Sequence, residues 1–521
     1  MSSTRGVTSP RPDAPPNRAY LILLGAALLV RLAMALLIPE PGYMDTAYYT
    51  VMGQRIARGE GATEPFLWNY LDDPSGLPAP AFGYWMPLPS ILPAPFWAIG
   101  GSFFAAQAPF ALCSALLVVL GAHIAWQATG RMHVVWGAGG LLIFSGYYFP
   151  MWTLPETFAP FALCGALALW AGGRFWEHPQ ATWAAVMAGA ATLAYLTRSD
   201  GLLLVAMALA LPLLRRDGRS LVVSALVVAL LLTPWFLYNL DARGTLMPTG
   251  GTRTLWLTEY DDHYCYQCVL SPQSYLAWGW GNILRSKWEA LVWNAKTLLG
   301  VLGYVILAPL AVIGGWRLRD CPAFVLAALY LALLFSAMTF AFSFSGPRGG
   351  FFHSGGALLP FIVTAGLVGL NRGIIWLGGQ RNWHIPQAQR VFTAGLVVIA
   401  LGMSLVLAAP KLVAWHDAYA PYRRVGAWMD TLVDGAPAPS DPVLVGNPPG
   451  FWYATHIPAL AAPNEDAATT ARLAERYGAR WLLLDENRPA PLAPLYQSEG
   501  DEDWALVKQW EDGYKLYRLA R

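Results

Sequence analysis

The sequence predicts a polytopic α-helical membrane protein with a small α/β domain at its C-terminal end. Three observations predict it. Apolar runs recur from residue 19 to about residue 410, and a spanning helix takes about 20 apolar residues. Hydrophobic residues make up 56% of the 521 and charged residues 13%, about half the charged fraction of a soluble domain. Beyond Pro410 the composition turns polar and charged.

The runs lie near 19–38, 104–127, 134–150, 155–172, 181–197, 200–214, 220–239, 296–315, 322–343, 355–371 and 391–409. That is about eleven spans. Basic residues collect on the cytoplasmic side of a membrane protein. With the N-terminus inside, the short inner loops hold Arg131, Arg174, Arg215 with Arg216, Arg317 with Arg319, and Arg372 with Arg381. The outer segments hold Asp45, Glu64, Asp72, Asp73 and Glu156. An odd count of spans then leaves the C-terminus outside. Residues 1–18 are rich in Pro, Ser and Arg and are predicted to be a disordered cytoplasmic N-terminus. The run after them lacks a small-residue cleavage site, which makes it an uncleaved first span. Twenty-four Trp and 23 Tyr fit aromatic belts at the two interfaces.

Residues 19–410 thus form the transmembrane domain, with outer loops near 39–100 and 240–295. Residues 411–521 form the extracytoplasmic domain. Its β-like runs, 442–446 and 480–485, flank a helical pattern over 466–477 that stops at Gly478. The net charge of +2 points to no nucleic-acid partner. The composition places the chain in the cell (plasma or inner) membrane, surrounded by lipid.

Ionisable groups beside or inside spans are costly and mark functional sites. Asp45 follows the first span in Tyr43-Met44-Asp45-Thr46-Ala47-Tyr48-Tyr49. A carboxylate in a partly dry site takes a proton from a hydroxyl or holds a divalent metal. Its ordinary role is to cap a helix over 46–58. Glu156 opens the fourth predicted span, where Pro155 and an acid are also plain helix-start chemistry. Arg198, in Thr197-Arg198-Ser199-Asp200-Gly201, either pairs with Asp200 or holds an anion. Arg348 sits in Ser345-Gly346-Pro347-Arg348-Gly349-Gly350, where bare backbone amides and a guanidinium suit a phosphate. Arg31, inside the first span, is expected to snorkel to the outer interface. Cys265 and Cys268 suit a local disulfide or two free thiols better than half of a zinc site. His263 is the nearest candidate metal ligand to them.

These placements resemble those of the GT-C fold membrane glycosyltransferases, which include the protein O-mannosyltransferases and the lipid A aminoarabinose transferases. The resemblance rests on four features across residues 19–410. They are an acid after the first span (Asp45), an acid opening the fourth (Glu156), a polar hairpin between the fifth and sixth (Arg198), and Arg348 ahead of Leu359-Pro360. The family often has Asp-Glu at the first of these, and here Thr46 follows Asp45. The resemblance implies a polyprenyl-phosphate-sugar donor and a glycan, lipid or protein hydroxyl acceptor, with inversion at the anomeric carbon. It implies Asp45 as catalytic base, Arg348 and Arg198 on the donor phosphate, and Glu156 as an acceptor-side or second carboxylate. A divalent metal on Asp45, Glu156 or His263 is the one cofactor it leaves open. A transporter or flippase of lipid-linked sugars is the alternative function, which leaves the acidic outer loop and the outer domain unexplained.

Overall fold

The computed structural model describes residues 16–432 and 441–520. Most of the predicted N-terminal segment lies outside them. The chain is a multi-pass membrane protein. All eleven apolar runs fall on helices, but seven helices among the described residues are long and apolar enough to cross a bilayer. An eighth crossing exists if a pair bent by 85° counts as one. The helices that place the site are α1 (Asn17–Leu37), α2 (Met44–Ala57), α3 (Met132–Ile143), α4 (Phe158–Glu177), α5 (Ala181–Thr197), α6 (Trp280–Thr297), α7 (Leu307–Arg317), α8 (Leu359–Arg381) and α9 (Ile385–Trp415).

Two predicted spans are not continuous. The run at 134–150 is a 12-residue helix, α3, followed by a 3-10 segment, Gly146–Met151. Twelve residues reach about 18 Å, short of the ~30 Å hydrocarbon core. The last carbonyls of α3 therefore end inside the protein, where each needs a donor. The Tyr304 hydroxyl donates to Leu141 O at 2.9 Å and Arg31 Nη2 donates to Leu142 O at 3.1 Å. This corrects the expectation for Arg31. Its side chain is fully buried, with its guanidinium against the rings of Phe149 and Trp152. A cation at a helix C-terminus meets the negative end of the helix dipole. Gly146 turns the chain onward at φ 59°, and its amide donates to Ser404 Oγ at 2.8 Å. The second broken run is 296–315, where α6 and α7 meet at the 85° bend.

The last span runs as one helix through Pro410 to Trp415. The C-terminal unit beyond it carries β4 (Val443–Val445), β5 (Ala459–Ala461), β6 (Trp481–Leu484), β7 (Trp504–Gln509) and β8 (Lys515–Leu519). A helix over Ala467–Tyr477 is capped by Asp466 and stopped by Gly478 at φ 69°. The loop after α1 supplies β1 (Thr63–Glu64), β2 (Phe66–Leu67) and β3 (Ala79–Pro80). Strand β2 is the edge of the six-stranded sheet, ordered β2-β5-β4-β6-β8-β7. The C-terminal domain is thus completed by the loop that carries Asp45. The same loop is fastened by Tyr70, whose hydroxyl donates to Ala461 O, and by an Arg476–Asp73 ion pair at 2.7 Å.

Candidate active site

Asp45 lies in the first turn of α2, and the cap position is Tyr43. Asp45 is thus not the N-cap residue; it is the acid of the first turn, where a negative charge favours the helix dipole. Glu156 sits just ahead of α4, 1% exposed. It accepts from the Thr157 hydroxyl at 3.0 Å and from the Phe158 amide at 3.3 Å. His353, 197 residues further along, completes the group. Its Nδ1 is 3.3 Å from Glu156 Oε1 and 2.8 Å from Thr157 Oγ1. The Thr157 hydrogen goes to Glu156, so Nδ1–H is the donor in this trio. The imidazole stacks on Phe158 at 3.9 Å. One ligand atom from each of Asp45, Glu156 and His353 lies within 4.8 Å of the others.

Electrostatics separate the two carboxyls. Burial raises the Asp45 pKa, and the Glu156 charge raises it further, against the pull of His353 and Arg198. Burial acts on Glu156 as well, but the His353 imidazole, its hydrogen bond and Arg198 outweigh it and hold Glu156 below the usual range. Two carboxyls pushed apart in this way suit a charged anchor, Glu156, beside a proton acceptor, Asp45.

Arg198 takes the first of its two anticipated parts, pairing with Asp200. Its Nε donates to Asp200 Oδ1 at 3.3 Å and to Ser354 Oγ at 3.2 Å, and Ser354 in turn donates to Asp200. The polar hairpin is thereby latched to the residue next to His353. The Arg198 charge also reaches Asp45 and Glu156.

Arg348 is exposed, its guanidinium 4.7 Å over the Tyr260 ring. It lines a cavity of about 520 Å³ with Tyr260, Ser286, Glu289, Trp293 and Ser343. Its segment is not the open loop of bare amides that its glycines suggest. Gly346 N donates to Phe342 O at 2.7 Å and Gly350 N to Ser345 O at 3.0 Å. Its glycines serve packing: a Cβ on Gly346 would sit 2.1 Å from Met338 O. The guanidinium remains free for an anion and those two amides do not.

His263 is not brought to the carboxylates. It is 3% exposed, its Nδ1 bonds Tyr260 O at 2.7 Å, and its Nε2 faces the Tyr84 hydroxyl at 3.4 Å. His353 stands where the sequence placed His263. Cys265 and Cys268 form a disulfide. Glu465 of the C-terminal domain accepts from the Tyr266 and Gln267 amides beside it, at 3.3 and 2.9 Å.

Sequence reasoning missed Thr157, Ser354 and Tyr84. It also missed Lys411, whose Nζ bonds the Tyr147 hydroxyl at 3.1 Å and lies over the Trp415 ring, which stacks near Tyr43. The one signal was that Tyr84 adjoins Trp85. Trp68 and Trp85 stack at 3.9 Å with Tyr48 packed on Trp85 at 4.4 Å. Trp68 is 6% exposed, so it belongs to the core of the loop after α1.

Neither a protein-family model nor a curated protein sequence matches the chain. Solved structures do. ArnT from Cupriavidus metallidurans bound to undecaprenyl phosphate is similar over 97% of this chain and 98% of its own, at 13% identity and a TM-score of 0.63. The same protein in the apo state gives 0.59 over the same shares. The archaeal oligosaccharyltransferase AglB from Archaeoglobus fulgidus, in complex with an inhibitory peptide and a dolichol-phosphate, is similar over 89% of this chain and 69% of its own. Its identity is 13% and its TM-score 0.56. The chain has the GT-C fold of these membrane glycosyltransferases.

Proposed function

We propose that the protein is a membrane glycosyltransferase that moves a sugar from a polyprenyl-phosphate donor to a hydroxyl acceptor, with inversion. The observation that carries this reading is the cluster of Asp45, Glu156 and His353, with Arg198 latched beside it through Ser354. Two of the similar folds support it, since one was solved with undecaprenyl phosphate and another with a dolichol-phosphate. No observation favours the transporter alternative.

Asp45 takes the acceptor hydroxyl's proton as the oxygen attacks the anomeric carbon. A base is most useful with a pKa near the working pH, and that of Asp45 is raised to about 6. The bond from the anomeric carbon to the phosphate oxygen breaks on the opposite face, and the polyprenyl phosphate departs. Its developing charge needs fixed cations; Arg348 and Arg198 are the candidates. Glu156, held ionised, fixes His353 and orients the acceptor.

Two carboxylates and an imidazole are also a donor set for a divalent cation. Asp45, Glu156 and His353 would hold it, and it would stabilise the leaving phosphate. Metal dependence is part of this proposal: chelation followed by repletion with magnesium, manganese or zinc tests it.

The test of the function is transfer by the reconstituted protein, fed a panel of polyprenyl-phosphate sugars and followed by mass spectrometry for released lipid phosphate. Arg348→Ala is expected to raise KM for the donor about tenfold or more, the loss of one charge-assisted contact. Unchanged donor affinity removes Arg348 from the phosphate site.

A further inference from the structure

Helix α6 has three faces where a surface helix of a soluble protein has two. Ile283, Ser286, Ala290 and Asn294 are buried against the protein. Arg285, Glu289 and Lys296 are exposed on a second, polar face. Between them runs an apolar ridge at i, i+4 and i+8: Trp280, Leu284 and Trp288, exposed by 69%, 65% and 65%. At about 100° per residue this ridge covers roughly 80° of the helix surface.

The helix cannot cross the bilayer along its length. Arg285, Lys287, Glu289 and Lys296 fall within its 18 residues, and charges at mid-bilayer are strongly disfavoured. Nor does the ridge belong in water, where two Trp and a Leu would form one continuous apolar strip. The 85° bend that follows α6 lays it across the direction of α7. Beyond the bend α7 also exposes apolar side chains, Val312 and Trp316, by 74% and 69%, which suit lipid and not water. Tryptophan ends and basic flanks are the chemistry of the acyl–headgroup boundary.

We propose that α6 is an interfacial helix that sinks Trp280, Leu284 and Trp288 into the leaflet on the side of the active site. The cavity-lining residues Ser286, Glu289, Ala290 and Trp293 lie on roughly the opposite side of the helix. The ridge therefore sets the Arg348 cavity at the height of the lipid headgroups. A polyprenyl phosphate would then present its phosphate to Arg348 with its tail still in the bilayer. That last consequence rests on the proposed function; the depth of the helix does not.

The test reads depth without reading activity. Leu284→Cys, Trp288→Cys, Arg285→Cys and Glu289→Cys are made singly in a chain whose Cys113, Cys164 and Cys321 are alanine. Each carries a nitroxide and is reconstituted into phosphatidylcholine–phosphatidylglycerol nanodiscs. All four positions are exposed, so a label there leaves the packing intact. Power saturation compares collisions with oxygen and with a water-soluble nickel chelate. The expected result is an oxygen-to-nickel ratio several-fold higher at 284 and 288 than at 285 and 289. Equal ratios at all four, whether nickel-dominated or oxygen-dominated, overturn the placement. A failed transfer assay alongside the expected ratios would remove the donor and leave the helix in the interface.

Discussion

Replacing Asp45 by Asn separates catalysis from stability. The substitution keeps the side-chain size and removes one of two carboxylates whose oxygens approach within 4.8 Å. At that separation two like charges repel by about 3.5 kcal/mol at an effective dielectric of 20 and about 1 kcal/mol in water-like surroundings. Asp45 is half-buried, and His353 and Arg198 offset part of the repulsion, so the lower end applies. The variant is therefore expected to melt at the same temperature as the parent or slightly higher. Transfer should fall by about 10²–10⁴, the contribution of a positioned general base, or roughly 3–5 kcal/mol in the barrier. The assay is single-turnover release of lipid phosphate in nanodiscs, with melting followed by intrinsic fluorescence. Turnover within about threefold of the parent would refute Asp45 as the base. A melting temperature lower by many degrees would refute burial and the Glu156 charge as the causes of its raised pKa. In the parent, activity should rise with pH through about 6 as Asp45 loses its proton, and the Asn variant should lose that limb.

Other consequences are as direct. Burial raises the Glu64 pKa to about 8, so its neutral form is favoured in the fold. That stability is complete below pH about 4.5 and is lost as pH rises through 8; Glu64→Gln should flatten the dependence in melts at pH 5 to 9. Tyr304→Phe removes the donor to Leu141 O and should cost about 1–3 kcal/mol, the price of an orphaned buried carbonyl, read as a lower midpoint in denaturant. Glu465→Ala should free the disulfide loop from the C-terminal domain, seen as faster limited proteolysis near residues 260–268 with the transmembrane fragment still protected.

Much of this was legible along the chain because a bilayer imposes a one-dimensional rule. Every backbone group in hydrocarbon must be paired within its own segment, so apolar length and flanking charge locate helices without reference to neighbours. The stop at Gly478 was legible because it too acts locally, within a turn. Asp45, Glu156, Arg198 and Arg348 could be named because a charge next to a span is expensive wherever it lies. The breaks were not legible. The 134–150 run has the composition of a span, and only Tyr304 and Arg31, distant in sequence, make it possible to end α3 at Ile143.

The sequence by itself determined the class of protein, the set of apolar helices and which charges stand beside them. Those follow from local composition against one solvent. The tertiary structure decided which histidine meets the carboxylates. His263 and His353 both follow polar outer segments, and nothing local ranks them. Close packing does: Phe158 stacks on His353 and Thr157 bonds it, while the carbonyl of Tyr260 occupies His263. The tertiary structure also made the C-terminal domain part of the site's frame, because strand β2 of the Asp45 loop is an edge of its sheet.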